Sequence, residues 1–166
     1  RMKFATPGKR INAFYCLENR VAVIEEPKVN LRIVAPLVPK SLRANVYDLY
    51  LNKQLGSWAD TPLYLFDEWI AYTNGSEVRL ELKIEKRAET VTQMFEFDVY
   101  CLTLAQVVKA KDPNYDDTQF KKVLYWNIER SFNLHRGEAT AYLEKFKTTT
   151  DAEELRKFTR NYMGAE

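Results

Sequence analysis

"PLYLFDEWIAYTNG", residues 62–75, is the stretch on which the fold turns. Between residues 63 and 72, eight of ten side chains are apolar or aromatic, and no polar stripe recurs at helical spacing. Thr61 offers an N-cap and Pro62 a first-turn proline, so the spacing predicts a helix. A helix that is hydrophobic all round is buried all round. Asp67 and Glu68 therefore pose a problem, because a carboxylate lodged in an apolar interior needs a cation, backbone donors or a metal to answer it. Arg43, Arg79 and Arg130 are candidate partners for a structural ion pair. The sharper alternative makes Glu68, with Asp67 beside it, a ligand or general base tuned by burial.

Working outward, "INAFYCLENRVAVIEEP" reads as two strands, Ile11–Leu17 and Val21–Glu25, turned around Glu18-Asn19-Arg20 and closed by Pro27. "VNLRIVAPLVPKSL" follows as one short helix or turn-rich segment, because Pro36 and Pro39 forbid a long one. From Ser41, Leu42, Val46, Leu49 and Tyr50 share a helical face, with Gly56 as the expected stop.

Asn74-Gly75 admits two readings. "VRLELKIEK" alternates, so Asn-Gly could turn a hairpin. Its Leu, Glu, Lys and Arg favour helix, and the helical reading is preferred, with a kink or break at the glycine. Met94, Phe97, Cys101, Leu104 and Val108 mark a long amphipathic helix ended by "KAKDPNY". Phe120, Val123, Leu124, Ile128 and Phe132 mark the next, and "GEATAYLEKFK" a shorter one. The last opens with a Thr150–Glu153 capping box and lines up Leu155, Phe158 and Tyr162.

The expected fold class is α+β, predominantly α-helical. An N-terminal β-hairpin precedes six or seven helices around a single core, in one domain spanning 1–166 (hairpin 11–26, helical body 41–163). The 166 residues suffice for one substantial core, and 46% hydrophobic with 29% charged residues excludes disorder. No apolar run reaches the roughly 20 residues that span a bilayer. "RMKFATPGKR" has no apolar signal-peptide core, and a first residue other than Met is consistent with a processed or exported form. The net charge of +2 is unevenly spread, with ten Lys and Arg against five Asp and Glu in residues 1–60. No basic block with interleaved aromatics appears, which argues against nucleic-acid binding. Oligomeric state and compartment stay open.

The order of strand hairpin, short helix and helix with an inward glutamate resembles the compact gluzincin metallopeptidases. "AFYCLENRVAVIEEP" is similar to their edge-strand region, and "PLYLFDEWIAYTNG" to the downstream helix whose glutamate completes a zinc site. The resemblance covers residues 11–75 and implies a third-ligand position for Glu68. The expected HExxH is absent: its place reads "VNLRIVAPLVPKSL", without the histidine pair that would hold zinc. The resemblance thus implies an inactive relative or an incomplete piece of an enzyme, with no metal and no cofactor.

Other chemistry is thinly supported. Cys16 and Cys101 either pair or remain two buried thiols, and Cys101 reads as core. His135 with Cys16 could make a base and nucleophile, but a solvated cap suits His135 better. Glu96, Asp98 and Glu129 lack the Glu-x-x-His pairs of carboxylate-bridged metal bundles. The five glycines form no phosphate loop. Tyr47, Tyr50, Tyr64, Trp69, Tyr72 and Asn74 are the candidates for a groove between the second and third helices. The expected function is a non-catalytic or catalytically lapsed, metallopeptidase-like domain that binds a protein or peptide. The alternative is a hydrolase centred on Asp67, Glu68 and the nearby tyrosines.

Overall fold

A computed structural model describes residues 2–6, 8–44, 46–84 and 88–164. Three antiparallel strands open it, β1 (Met2–Thr6), β2 (Lys9–Tyr15) and β3 (Val21–Glu25), in the order β1-β2-β3. The expected hairpin is β2–β3, with β2 starting earlier and stopping at Tyr15. β1 was not anticipated. Its signal is the short Pro7-Gly8 link, across which Thr6 pairs with Lys9 while Gly8 takes a φ of 78° that costs glycine nothing.

The β2–β3 turn places Leu17, Glu18 and Asn19 in the left-handed region, at roughly 1–2 kcal/mol per residue. Two backbone bonds hold it, Arg20 N to Leu17 O and Cys16 N to Arg20 O. Pairing of Asn12 with Ile24 and Phe14 with Ala22 puts these four on the core side of the sheet, while Tyr15, Val21 and Val23 face solvent.

α1 (Leu31–Val34) is a single turn capped by the Asn30 side chain, and two 3-10 turns, Ala35–Leu37 and Lys40–Leu42, follow it. That matches the proline-limited segment read from sequence. The α-helix expected from Ser41 to Gly56 is absent. Tyr47–Lys53 winds instead as a wide π turn, with Gln54 N reaching back five residues to Leu49 O. The wider winding turns both Tyr50 and Leu51 inward. Gly56 then lies inside α2 (Leu55–Trp58) and does not end a helix.

The helical body comprises α3 (Tyr64–Glu81), α4 (Ala88–Lys111), α5 (Thr118–Leu134), α6 (Arg136–Thr148) and, after a 3-10 turn, α7 (Glu153–Met163). α3 passes through Asn74-Gly75 without the expected break and stops at Glu81, where Lys83 turns to a positive φ. The reading of residues 85–86 lies outside the described residues. Two expected caps are also corrected. Thr61 bonds Trp58 O, and the N–H of Leu63, at the cap of α3, is received by the Glu26 carboxylate. Thr150 sits in a 3-10 turn with no capping side chain, and Asp151 instead receives the Ser41 N–H.

The helix buried on all sides is α4, not α3: every residue from Met94 to Ala105 is buried. The amphipathic expectation for α4 thus gives way to a central position. α3 and α5 flank it and run parallel to each other, as the successive contacts Phe66–Phe120, Thr73–Asn127 and Glu77–Arg130 show. The sheet closes one side of this stack through Asn12, Phe14 and Ile24. Among the described residues, no helix is long and apolar enough to cross a membrane.

Candidate binding site

Asp67 and Glu68 are only half-buried. Glu68 is met by phenols. Tyr50 on the π turn and Tyr64 one helical turn earlier lie close enough for their phenols to interact with its carboxylate, the Tyr64 hydroxyl donating also to Gln54 Oε1 at 3.3 Å, and Tyr72, one turn later, interacts with Tyr50. Burial first, and then the Glu68 carboxylate, push the Tyr50 and Tyr64 phenols up from their ordinary value. Trp58 stacks on Tyr64 at 4.0 Å between ring centroids, and Tyr72 packs on Phe97 at 5.2 Å. The spacing 64, 68, 72 on α3 sets three of these groups on one stripe. The π turn supplies the fourth.

Two of the proposed cation partners are occupied elsewhere. Arg43 donates to the carbonyls of Val38 and Pro36, and Arg130 pairs with Glu77. Of the groove candidates, Tyr50 and Tyr64 meet Glu68, Tyr72 joins them through Tyr50, and three lie elsewhere. Trp69 is fully buried against Asp98. Asn74 donates to Tyr15 O and accepts from Arg130. Tyr47 donates to Ala35 O, with the Arg43 guanidinium 4.6 Å from its ring centroid.

The deeply buried acids are others, Glu26, Glu96 and Asp98. Glu26 accepts from the Asn12 amide at 2.9 Å and from Leu63 N at 2.8 Å, tying β2 to the positive end of α3. Glu96 receives Tyr100 O–H at 3.3 Å, and burial outweighs this bond to push its carboxyl up. Asp98 receives Trp69 Nε1–H at 2.7 Å and lies 2.9 Å from Ser131 Oγ. Complete burial holds its carboxyl well above the usual range, the two hydrogen bonds only partly opposing this.

A polar seam thus runs between the flanking helices, Trp69–Asp98–Ser131, then Thr73–Asn127, then Ser76–His135 at 2.5 Å. His135 is not the solvated cap expected of it, since it and Ser76 are 3% and 4% exposed. That burial leaves a substrate no approach to the pair. Cys16 donates to Phe14 O, and Cys16 and Cys101 are free, buried thiols. Among the described residues, no three His, Cys, Asp or Glu side chains form a group suited to a metal.

A cleft of about 390 Å³ opens between α4, α5, α6 and α7. Leu102, Ile128, Phe132, Phe146 and Met163 make its walls, and Asp98 and Tyr142 lie at its inner side. The Tyr142 hydroxyl is shut off from solvent and makes no hydrogen bond, at a cost of about 1–3 kcal/mol. Periodicity marked the core faces of these helices but could not show that four of them leave a gap. No family model, curated protein or solved structure matches the chain.

Proposed function

We propose that the chain is a non-catalytic binding domain that holds a peptide or protein segment at Glu68. The observation that carries this reading is a half-buried carboxylate ringed by Tyr50, Tyr64 and Tyr72, facing phenols and not cations among the described residues. A lysine or arginine of a partner would supply the missing positive charge, its alkyl stem lying on the Trp58–Tyr64 stack and its head beside the carboxylate. Leu49, 40% exposed on the same π turn, extends the apolar margin. The order of hairpin, short turns and Glu68-bearing helix supports descent from a peptidase that lost its metal-binding histidines, and with it a peptide as ligand.

Selection of a random peptide library against the whole chain tests the proposal. Enriched peptides are expected to share a basic residue flanked by apolar ones, and Glu68→Gln to weaken them at least about tenfold, the value of one charge-assisted hydrogen bond. Enriched peptides without a basic residue, equal binding by the variant, or no enrichment would each overturn the reading.

A further inference from the structure

We propose that the cleft between α4, α5, α6 and α7 is a second binding site, which takes an uncharged, mainly hydrocarbon small molecule bearing one hydrogen-bond acceptor that the Tyr142 hydroxyl meets. This does not rest on the reading of Glu68, which lies on α3 and is no part of the cleft.

Size and surroundings define the ligand. A volume of about 390 Å³ falls in the range of small-molecule sites. Protein–protein docking needs an apron of about 800 Å² on each side, and the cleft lacks one. Of its lining residues, only Tyr125 is among the large hydrophobic side chains that stand in solvent, and Glu129 and Asn133 at the mouth are polar. The apolar surface stops at the opening.

Polarity defines the head group. Both Asp98 oxygens are already engaged by Trp69 and Ser131, and complete burial disfavours the anion that a cation would pair with. Among the described residues, no lysine or arginine lines the cleft to receive an anion. The unmet group is the Tyr142 O–H, whose ring already forms part of the wall. A modest pivot of that ring turns its hydroxyl toward a ligand ketone, ester or amide oxygen, an adjustment of the kind side chains commonly make on binding.

The test uses 2-decanone, decylamine and decanoate, which share a chain and differ at the head. Binding is followed by amide chemical shifts and by thermal shift of the whole chain. 2-Decanone is expected to move the amides of Leu102, Ile128 and Leu143 and to bind at least about tenfold more tightly than either ion. Tyr142→Phe, which removes only the hydroxyl, is expected to keep the fold and weaken 2-decanone about fivefold. Leu102→Trp fills the cleft from within, and Met163→Trp fills it from its mouth should the first fail to fold; either is expected to abolish binding. Binding of 2-decanone that survives a folded plugging variant, or is indifferent to Tyr142→Phe, overturns the site or the head group respectively. Decylamine binding as tightly as 2-decanone would assign recognition to an ionised Asp98 and overturn the proposal. So would no shift with any of the three.

Discussion

Trp69 Nε1 donates to Asp98 Oδ1 at 2.7 Å, and burial of the acid it meets holds that carboxyl well above the usual range. Ser131 has one hydroxyl hydrogen and two acceptors in reach, Ile128 O at 2.8 Å and Asp98 Oδ2 at 2.9 Å. With that hydrogen on Asp98 Oδ2 the acid accepts from both partners; with it on Ile128 O, a protonated Asp98 would donate to Ser131 Oγ. The upward push of burial on the carboxyl favours the second arrangement. In that arrangement carboxylic acid, serine and backbone carbonyl would form a neutral chain, a proton standing in for a partner ion.

Asparagine at position 98 reproduces that protonated geometry, its carbonyl facing Trp69 and its amide facing Ser131. A carboxyl whose folded pKa is raised contributes stability that is fully present below its unfolded value, about 3.9, and is lost as pH rises through the folded one. Wild-type stability is therefore expected to carry a downward component from about pH 4 toward neutrality, to which Glu96 adds in the same direction. Asp98→Asn should remove the Asp98 part, so the variant gains on wild type as pH rises. Asp98→Ala should cost about 2–4 kcal/mol by stranding the indole N–H and opening a cavity. Urea midpoints between about pH 4 and 8 measure both. A variant-minus-wild-type difference independent of pH would show that Asp98 is ionised.

The helical body was legible because Phe120, Val123, Leu124, Leu155 and Tyr162 repeat at a period that only a helix satisfies. Which helix lies at the centre was not. "LYLFDEWIAY" is as apolar as a central helix, yet Asp67, Glu68 and Tyr72 stay only half-buried, while α4 buries Glu96, Asp98 and Thr103 along with its hydrophobes. Apolar density reports that a segment can be buried; which acid is buried depends on partners distant in sequence, Trp69 and Ser131 for Asp98. The Tyr64–Glu68–Tyr72 stripe was readable from spacing, but Tyr50 joined it only through a π turn that no propensity marks. β1 was missed although "ATPGK" signals a turn, because the neighbouring hairpin already explained the region.

Glu26 joins two parts of the fold through one carboxylate. One oxygen receives the Asn12 amide on β2 and the other the first free N–H of α3. Glu26→Ala should destabilise the chain by about 2–3 kcal/mol, since it removes a charged cap and two bonds at a site 5% exposed. Glu26→Gln keeps an acceptor for only one of the two donors and should lose about half as much. Chemical denaturation gives the size, and amide exchange at Leu63 should quicken in both variants. Slow exchange there in Glu26→Ala would remove the capping role.

Burial pushes up six phenols, Tyr50, Tyr64, Tyr100, Tyr115, Tyr142 and Tyr162. A raised folded pKa means stability fully present below the unfolded value, about 10, and lost as pH climbs above it. Alkaline titration should therefore show phenolate absorbance from these residues rising together with loss of helical circular dichroism, in one cooperative step. The double variant Tyr50→Phe, Tyr64→Phe should move that step to higher pH. Phenolate formation by all the tyrosines while the helices stay intact would contradict the burial described.

Arg130 and Glu77 form an ion pair in which the side chains keep 9% and 19% of their exposure. The guanidinium also donates to Asn74 Oδ1 at 2.9 Å and stands 5.1 Å from the Trp126 ring centroid. One arginine thus holds α3 against α5 by an ion pair and a hydrogen bond, while Trp126, one turn earlier on its own helix, supports the guanidinium. Removing a single partner of a buried pair strands the other charge, which typically costs about 3–5 kcal/mol, whereas replacing both by apolar side chains of similar size is often nearly neutral. Arg130→Met should therefore be costly by itself, and Glu77→Leu also, because the guanidinium keeps only Asn74 and the indole. The double variant should recover most of either loss, giving a coupling of at least about 1.5 kcal/mol in a double-mutant cycle. The stranded charge is the larger effect, because partial exposure lets water screen the Coulomb attraction while the lost desolvation cannot be regained. Additive single losses, with no recovery in the double variant, would mean that charge pairing between Arg130 and Glu77 does not fix α3 to α5.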